Sequence, residues 1–286
     1  MNFSLPAPAK LNLFLHITGR RDDGYHTLQT VFALLDTGDT LHFSSAAQLS
    51  LEAPAELGGD NNLILRAARA LQAASGCQQG AAIRLDKRLP AGGGVGGGSS
   101  DAATALLGLN HLWQLPLGID ELAEIGLTLG ADVPVFIRGH SAWAEGVGEQ
   151  LQPLDLPEQI YVVVHPGVSV STAAIFADPQ LTRHTPESRV AAFLGPGAET
   201  LFRNDCEPVV TRLFADIREA LDWLRKQTGN ARLTGTGACI FARVADQQQG
   251  EDVLRRLPSE WQGFVARSVN ESPAHVALAQ LRNTAR

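Results

Sequence analysis

The feature that most constrains this chain is a glycine tract that lies between a strand pattern and a helix pattern. The tract, residues 90–101, reads PAGGGVGGGSSD and has six glycines in seven consecutive positions. Residues 82–86 before it alternate apolar and polar side chains, as a half-buried strand does. An Ala- and Leu-rich run follows at residues 102–113. The predicted order is therefore strand, glycine loop and helix, with the helix beginning at Ser99 or Ser100.

A glycine loop that runs into a helix predicts an anion-binding site. Glycine permits positive φ and lets another group approach the bare backbone N–H atoms. A helix N-terminus adds unpaired N–H groups and the positive end of its dipole. Nucleotide phosphate is the large anion most often bound in this way. The predicted phosphate-binding residues are Pro90, Ala91, Gly92, Gly93, Gly94, Val95, Gly96, Gly97, Gly98, Ser99 and Ser100.

Other interpretations of the tract remain open at this stage. Gly92, Gly94 and Gly97 have the spacing of the dinucleotide fingerprint, but a tract so rich in glycine fits many such patterns. The spacing of residues 93–98 also fits a Walker A loop, except that Ser99 stands where the lysine belongs. A flexible linker is the third interpretation, although linkers are not usually held between a strand and an apolar helix. If the tract binds phosphate, the missing lysine must come from elsewhere in the chain.

Composition limits the partners of the chain. With 286 residues the chain can hold two domains, each with its own core. Its net charge of −7 argues against nucleic acid or an anionic membrane as the main partner. Cys77, Cys206 and Cys239 are scattered, which supports neither a disulfide framework nor a zinc site. The apolar run at residues 11–17 is far too short to span a bilayer. We expect a cytoplasmic protein that is a monomer or a weak homodimer.

The first strand pattern places two polar residues on one face. Residues 10–17 alternate, so that the leucines would pack on a core while Lys10 and Asn12 lie on the opposite face. A solvated strand face is the ordinary explanation of such a pair. A loop then brings the rings of Tyr25 and His26 to the start of the next strand pattern.

The remaining patterns alternate between strands and helices. Strands are predicted at residues 27–35, 39–44, 161–165, 231–233, 239–244 and 263–269. Helices are predicted at residues 63–74, 119–129, about 171–177, 216–228, about 248–257 and from near Ser272. Asp132 lies at a predicted helix-to-strand junction, and the Val-Pro pair that follows it argues against an N-cap role.

Two prolines and mixed charge near residues 151–158 indicate a domain boundary, and we divide the chain into residues 1–155 and 156–286. The second part has the order of a β-α-β-β-α-β split sandwich. It also holds a second glycine turn, TGTG at residues 234–237. Two glycine turns, one in each predicted domain, are consistent with a ligand gripped between the domains.

Five segments together resemble the GHMP-type small-molecule kinases, a superfamily that includes galactokinases, homoserine kinases and mevalonate kinases. Residues 90–100 resemble its ATP-phosphate loop, and LTGTGA at residues 233–238 resembles its C-terminal glycine motif. Three further segments resemble one branch of the superfamily, which acts on a cytidine diphosphate-linked methylerythritol. They are PAKLNL at residues 8–13, DGYH at residues 23–26 and GADVPVF at residues 130–136.

The resemblance implies an α+β, two-domain GHMP kinase fold. Its N-terminal domain would be a ribosomal-S5-like β/α domain and its C-terminal domain a ferredoxin-like split βαβ domain. The implied activity is ATP-dependent phosphorylation of the 2-hydroxyl of the substrate in the methylerythritol phosphate route to isoprenoids. Another GHMP-type small-molecule kinase is the alternative. Magnesium is expected with ATP, and Ser100 is the candidate ligand through its hydroxyl.

The resemblance also implies roles for single residues. Lys10 would supply the positive charge that the glycine loop lacks, and Asp132 could accept the proton of the substrate hydroxyl. Tyr25 and Phe176 would stack on the cytosine ring, with His26 hydrogen-bonded to the edge of the base. The implied ATP contacts near the adenine are Asn62 and Lys87. The implied lining of the substrate channel is Asn12, Thr172 and Thr236.

Two other classes of protein stay open on the residues alone. A nicotinamide dehydrogenase predicts the loop in its first βαβ unit and an acidic residue about 20 positions later. Here the loop lies some 90 residues into the chain, and Glu121 and Glu124 fall in a helix pattern. A non-enzymatic nucleotide sensor or RNA-binding module predicts a basic face, which the net charge of −7 does not favour.

Overall fold

The computed structural model describes residues 2–284 of the chain. Its strands are β1 (Asn2–Arg20), β2 (His26–Ala46), β3 (Ser50–Glu52), β4 (Gly80–Asp86), β5 (Ala142–Glu145), β6 (Gln150–Pro153), β7 (Ile160–His165), β8 (Arg232–Leu233), β9 (Ile240–Val244) and β10 (Gln262–Val269). Its helices are α1 (Leu63–Ser75), α2 (Gly97–Leu112), α3 (Ile119–Leu127), α4 (Val133–Arg138), α5 (Thr172–Ala177), α6 (Val190–Phe193), α7 (Ala198–Leu201), α8 (Glu207–Leu213), α9 (Ala215–Thr228), α10 (Gln247–Leu254) and α11 (Pro273–Thr284).

A long antiparallel hairpin, β1 with β2, forms the centre of the N-terminal half. The pairing runs from Asn2 opposite Ser44 to Arg20 opposite His26. The sequence predicts two separate strands here, at residues 27–35 and 39–44, and this division is wrong because β2 is continuous. Gly38 lies inside β2 against the backbone of Ala7 in β1, where a side chain would clash. A glycine inside a strand often marks such a close backbone approach.

Helices cover one side of this hairpin and bury the larger core. β4 pairs antiparallel with the second half of β2, and β3 adds to β4 in parallel. The core between this sheet and the helices α1, α2 and α4 includes Phe32, Phe43, Leu106 and Phe136. Leu278 of the C-terminal helix α11 is buried in the same core. The last helix therefore packs on the N-terminal layer, and the division at residues 155 and 156 stays a prediction.

The C-terminal half has the predicted split topology. Strands β7, β8, β9 and β10 lie in the spatial order β10-β7-β9-β8, and every neighbouring pair is antiparallel. The helices α9 and α10 provide the two crossovers, which confirms the β-α-β-β-α-β arrangement. β10 also pairs with β2, so that the two halves share one sheet.

Two predictions about helices are wrong, namely the first residue of α2 and the strand predicted after Asp132. α2 begins at Gly97, with Gly96 at the N-cap, rather than at Ser99 or Ser100. The valine-rich segment after Asp132 forms the helix α4 rather than a strand, with its proline in the first turn. Proline is tolerated there because the first N–H groups of a helix have no intrahelical partner. Asp132 therefore occupies the N-cap position, although its side chain makes no capping hydrogen bond.

Candidate active site

Backbone hydrogen bonds hold the glycine loop against β1 and against the second glycine turn. The N–H of Lys10 donates to the Val95 carbonyl at 2.9 Å, and the N–H of Cys239 donates to the Gly93 carbonyl at 2.9 Å. Gly94 has φ +74°, and a Cβ there would lie 2.6 Å from the Thr234 carbonyl oxygen. The loop can approach the TGTG turn this closely only because residue 94 is glycine. The structure thus brings the two glycine segments together.

The same loop places the N-terminus of α2 at the centre of the molecule. Gly96 has φ +75°, and a Cβ there would lie 2.7 Å from the Phe136 ring and 3.1 Å from Lys10 Cε. The first N–H groups of α2 have no intrahelical acceptor, and the positive end of the helix dipole lies with them. This is the geometry of an anion-binding helix N-terminus.

Lys10 lies beside this N-terminus and is almost completely buried. Its Nζ lies 3.1 Å from Asp132 Oδ2, and it donates to Asn12 Oδ1 at 2.6 Å and to the Gly94 carbonyl at 3.1 Å. It also lies 5.3 Å from the ring centre of Phe32, where a cation–π contact is favourable. The lysine that the glycine loop lacks thus reaches the loop from β1.

Asn12 is oriented so that its carbonyl oxygen faces Lys10. Its Nδ2 donates to Thr30 Oγ1 at 3.0 Å, and the Thr30 hydroxyl donates in turn to the Phe14 carbonyl at 2.5 Å. Because that hydroxyl proton is already used, Thr30 can only accept from Asn12. The amide is therefore fixed, and its oxygen holds the Lys10 ammonium near Asp132.

A cavity of about 770 Å³ opens onto the Lys10–Asp132 pair. This volume lies in the usual range for small-molecule sites. The predicted site residues that line the cavity are Lys10, Asn12, Tyr25, His26, Gly94, Ser99, Asp132, Thr172, Phe176 and Thr236. The side chain of Asp132 is 34% exposed, so that its carboxylate is accessible from this space. The cavity thus joins the glycine loop, the Lys10–Asp132 pair and the aromatic residues of both halves.

The family models of the GHMP kinases match both halves of the chain. The N terminal domain of this family matches residues 62–140 and the C terminal domain matches residues 190–263. A 4-diphosphocytidyl-2-C-methyl-D-erythritol kinase of Alcanivorax borkumensis is 63% identical over 99% of this chain and 98% of that protein. The chain belongs to the 4-diphosphocytidyl-2-C-methyl-D-erythritol kinase family. It is a small-molecule kinase with the GHMP kinase fold.

Solved structures agree with this assignment. The crystal structure of a 4-(cytidine 5'-diphospho)-2C-methyl-D-erythritol kinase has a TM-score of 0.79 at 34% identity, covering 93% of this chain and 99% of that one. A mevalonate kinase has a TM-score of 0.69 at 14% identity, covering 95% of this chain and 100% of that one, and it shows the fold alone. No helix within residues 2–284 of the kinase is long and apolar enough to cross a membrane.

His26, Phe176 and Tyr25 form the aromatic end of the cavity. The His26 ring stacks on Phe176, with ring centres 5.2 Å apart and planes inclined by 28°. Tyr25 is 65% exposed at the tip of the β1–β2 hairpin. Burial, followed by the charges of Arg183 and Arg20, lowers the pKa of His26. The imidazole is therefore neutral near pH 7. The stacking of a cytosine ring between Tyr25 and Phe176 stays a prediction.

A hydrogen bond between two threonines connects α5 to the TGTG turn at the wall of the cavity. The hydroxyls of Thr172, at the start of α5, and Thr236, in the TGTG turn, are 2.9 Å apart and share a hydrogen bond. The sequence predicts both residues in the substrate channel, and the structure places them side by side. Arg20 and Thr30 also line the cavity, and sequence reasoning did not single them out. Asp23, the first residue of the DGYH segment, lines it as well.

Eleven of the predicted ligand contacts do not line this cavity. Eight belong to the glycine loop, namely Pro90, Ala91, Gly92, Gly93, Val95, Gly96, Gly97 and Gly98, and the others are Asn62, Lys87 and Ser100. Asn62 caps α1, accepting from the Ile64 N–H at 2.8 Å and donating to the Leu57 carbonyl at 2.7 Å. Ser100 is completely buried, and its hydroxyl has no hydrogen-bond partner among the described residues. Lys87 is held by two carboxylates. The roles of these residues toward ATP and magnesium stay predictions.

Lys87, Asp39 and Asp101 form a buried cluster, the Lys87 cluster, behind the first turn of α2. Lys87 Nζ lies 2.6 Å from Asp39 Oδ2 and 2.9 Å from Asp101 Oδ2. Asp39 Oδ1 also accepts from the N–H groups of Arg88 and Leu89. Asp101 Oδ1 has no partner among the described residues. Asp39 is therefore the better hydrogen-bonded of the two carboxylates.

Burial and the neighbouring charges set the pKa values of Asp101 and Lys87. Burial raises the pKa of Asp101 to about 7, and the charge of Lys87 offsets only part of that effect. Burial alone lowers the pKa of Lys87, but Asp101 and Asp39 outweigh it and raise the pKa. Asp101 thus takes up a proton near neutral pH while Lys87 stays charged.

Changing Asp101 to asparagine is expected to make the stability of the kinase less dependent on pH. The carboxyl titrates near pH 3.9 when unfolded, so that its raised folded-state pKa favours folding only while it is protonated. That contribution is lost as the pH rises from about 4 to about 7. The free energy of unfolding of Asp101→Asn relative to the native chain should therefore rise by roughly 1–4 kcal/mol between pH 5 and pH 8.

Urea unfolding at several pH values measures this difference. The matched variant is Asp39→Asn. Asp39 also contacts Lys87, but its carboxylate accepts from two backbone N–H groups, and asparagine is a weaker acceptor. Asp39→Asn should therefore destabilise the fold at every pH. A constant difference between Asp101→Asn and the native chain over this range would contradict the prediction.

Proposed function

We propose that this chain transfers the γ-phosphoryl group of ATP to the 2-hydroxyl of 4-diphosphocytidyl-2-C-methyl-D-erythritol, giving the 2-phosphate and ADP. The observation that carries the proposal is the single cavity in which the glycine loop, the Lys10–Asp132 pair and the rings of His26 and Phe176 meet. The 63% identity to a kinase named for this substrate supports the choice of substrate. That the kinase is cytoplasmic, and that it is a monomer or a weak homodimer, stay predictions from the sequence.

The glycine loop and the N-terminus of α2 are the proposed site of the ATP phosphates. Gly94 and Ser99 line the cavity, and Lys10 lies within 3.1 Å of the Gly94 carbonyl. Backbone N–H groups and a helix dipole bind phosphate without a dedicated side chain. Lys10 adds the one full positive charge that the glycine tract itself does not have.

The other end of the cavity is the proposed site of the cytosine base. His26 and Phe176, whose rings stack on each other, line this end, and the exposed Tyr25 lines it as well. Base–aromatic stacking contributes about 1–3 kcal/mol per base in nucleic-acid complexes. With the base at this end and the ATP phosphates at the other, the acceptor hydroxyl of the substrate would lie near Asp132.

In the proposed chemical step, the hydroxyl oxygen of the substrate attacks the γ-phosphorus, and Asp132 accepts the hydroxyl proton. The bond between that phosphorus and the β,γ-bridging oxygen breaks, and ADP leaves with the bridging oxygen. Lys10 stabilises the negative charge on the phosphoryl oxygens during the transfer. Positioning and charge stabilisation of this kind account for most of phosphoryl-transfer catalysis.

Magnesium is the expected partner of ATP, and the residues present fit an ion held mainly by phosphate. Residues 2–284 contain no group of three or more His, Cys, Asp or Glu side chains that could hold a metal by itself. Mg²⁺ usually binds one or two protein groups, several waters and substrate phosphates. Ser99 lines the cavity, and the buried Ser100 hydroxyl has no hydrogen-bond partner among residues 2–284. Bound there, the ion would neutralise phosphate charge.

The proposal is tested by product analysis with purified protein. ATP is supplied with 4-diphosphocytidyl-2-C-methyl-D-erythritol or, separately, with mevalonate, homoserine or galactose, and products are identified by mass spectrometry. A phosphorylated product and stoichiometric ADP are expected with the cytidylyl substrate alone. Turnover of one of the other alcohols in its place would assign the chain to a different GHMP-type reaction.

A further inference from the structure

Arg183 ties the aromatic end of the cavity to the chain segment that follows α5. Its Nε donates to His26 Nε2 at 3.0 Å. Its Nη1 donates to the Leu181 carbonyl at 3.1 Å, and its Nη2 donates to the carbonyls of Phe176 and Asp178 at 2.9 and 2.8 Å. Four bonds from one guanidinium hold the group in a fixed position. Arg183 does not line the cavity, so it acts on a ligand only through the groups that it holds.

The hydrogen bond from Arg183 determines which nitrogen of His26 carries the proton. A guanidinium has donors and no acceptor, so that His26 Nε2 must accept and is unprotonated. Burial and the charges of Arg183 and Arg20 lower the pKa of His26 and keep the ring neutral. A neutral imidazole carries one proton, which therefore lies on Nδ1. No partner for Nδ1 is found within residues 2–284, and His26 lines the cavity.

We propose that Arg183 is a positioning residue that holds His26 as the Nδ1–H tautomer, so that the ring offers a hydrogen-bond donor to the base and selects cytosine over uracil. The inference rests on the proposed function. The N3 atom of cytosine is a hydrogen-bond acceptor, whereas N3 of uracil carries a hydrogen and is a donor. An Nδ1–H group can therefore bond to N3 of cytosine but meets a second donor in uracil. A buried donor left unpaired in this way lowers affinity by about 10- to 100-fold.

Stacking on Phe176 strengthens the argument for a fixed ring. The Phe176 carbonyl accepts from the same guanidinium that holds His26, so that one side chain fixes the position of both stacked residues. Rotation of the imidazole by half a turn would keep the ring plane on Phe176 but would break the hydrogen bond to Arg183. The tautomer and the orientation of the ring are thus set by one group.

Nitrogen-15 NMR of the His26 ring in the ligand-free protein tests the first half of the proposal. We expect a protonated Nδ1 and an unprotonated Nε2 at pH 7.5 in the native chain, and loss of that single tautomer in Arg183→Met. This measurement needs no substrate, so that its result is independent of whether the proposed activity is correct. A native His26 that is protonated on Nε2, alone or with Nδ1, would overturn the proposal.

Steady-state kinetics with the cytidylyl substrate and its uridylyl analogue test the second half. Arg183→Met should raise KM for the cytidylyl substrate about tenfold, leave KM for ATP unchanged and reduce the cytidylyl preference in kcat/KM by about 10-fold or more. The matched control is Arg212→Met. Arg212 binds the Asp178 carboxylate at 2.7 Å in the same corner but does not touch His26, and it should keep the native preference.

Two results separate a positioning role from a merely structural one. Equal loss of base preference in Arg183→Met and Arg212→Met, with the tautomer unchanged, would overturn the inference in favour of general loosening of this corner. Arg183→Lys serves if Arg183→Met does not fold, because it keeps the charge and loses the fixed Nε donor. It should show the same loss of preference in weaker form, and full retention of the native preference would count against the proposal.

Discussion

Replacing Lys10 with methionine is expected to lower kcat by about 10³-fold or more, with a much smaller change in KM for the cytidylyl substrate. The methionine keeps most of the apolar stem and removes the ammonium that lies 3.1 Å from both Asp132 Oδ2 and the Gly94 carbonyl. A charge held between the phosphate loop and the acceptor stabilises the transferring phosphoryl group more than the bound ATP, so that its loss appears in kcat.

The matched control for this change is Lys226→Met. Lys226 is an exposed lysine in the last turn of α9 and does not line the cavity, so that turnover should stay within about twofold of native. Thermal unfolding checks the fold of Lys10→Met, because Asn12 Oδ1 loses its donor in the variant. A folded Lys10→Met enzyme with native kcat would exclude Lys10 from the chemical step.

Local patterns predict the parts of the site that lie within single elements. Alternation along β1 places Lys10 and Asn12 on one face because successive side chains of a strand point to opposite faces. Their polar partners then lie on that face, at Thr30 of β2 and Asp132. The glycine tract is equally local, since six glycines before an apolar helix leave few other uses for the backbone.

Contacts between distant segments could not be predicted in the same way. Arg183 reaches His26 across 157 residues, and nothing in the local sequence of either residue indicates the partner. The resemblance to the GHMP kinases implies Lys87 near the adenine, but it does not indicate that Asp39 and Asp101 surround Lys87 in the fold. The short helix α8 was not predicted, because a helix of this length depends on tertiary packing, here of Val209 and Val210, rather than on its own sequence pattern.

Replacing Asp132 with asparagine is expected to lower kcat by about 10²–10⁴-fold and to leave both KM values nearly unchanged. The amide keeps the shape of the carboxylate and leaves an oxygen for Lys10, which now lies 3.1 Å from Oδ2. It cannot accept the proton of the substrate hydroxyl as a carboxylate does. The side chain is 34% exposed and borders the cavity, so that little change in folding is expected. Single-turnover kinetics separates the chemical step from product release.

Asp120→Asn is the matched control for this variant, because Asp120 forms an exposed ion pair with Arg138 nearby in the chain and does not line the cavity. The double variant Lys10→Met with Asp132→Asn should lose less than the product of the two single losses, since both side chains act on one transition state. A loose transition state leaves the hydroxyl proton in place until late and needs no base. If Asp132→Asn kept more than about a tenth of native turnover, that mechanism would be the better account. Asp132 would then act by holding Lys10 and the acceptor hydroxyl in position.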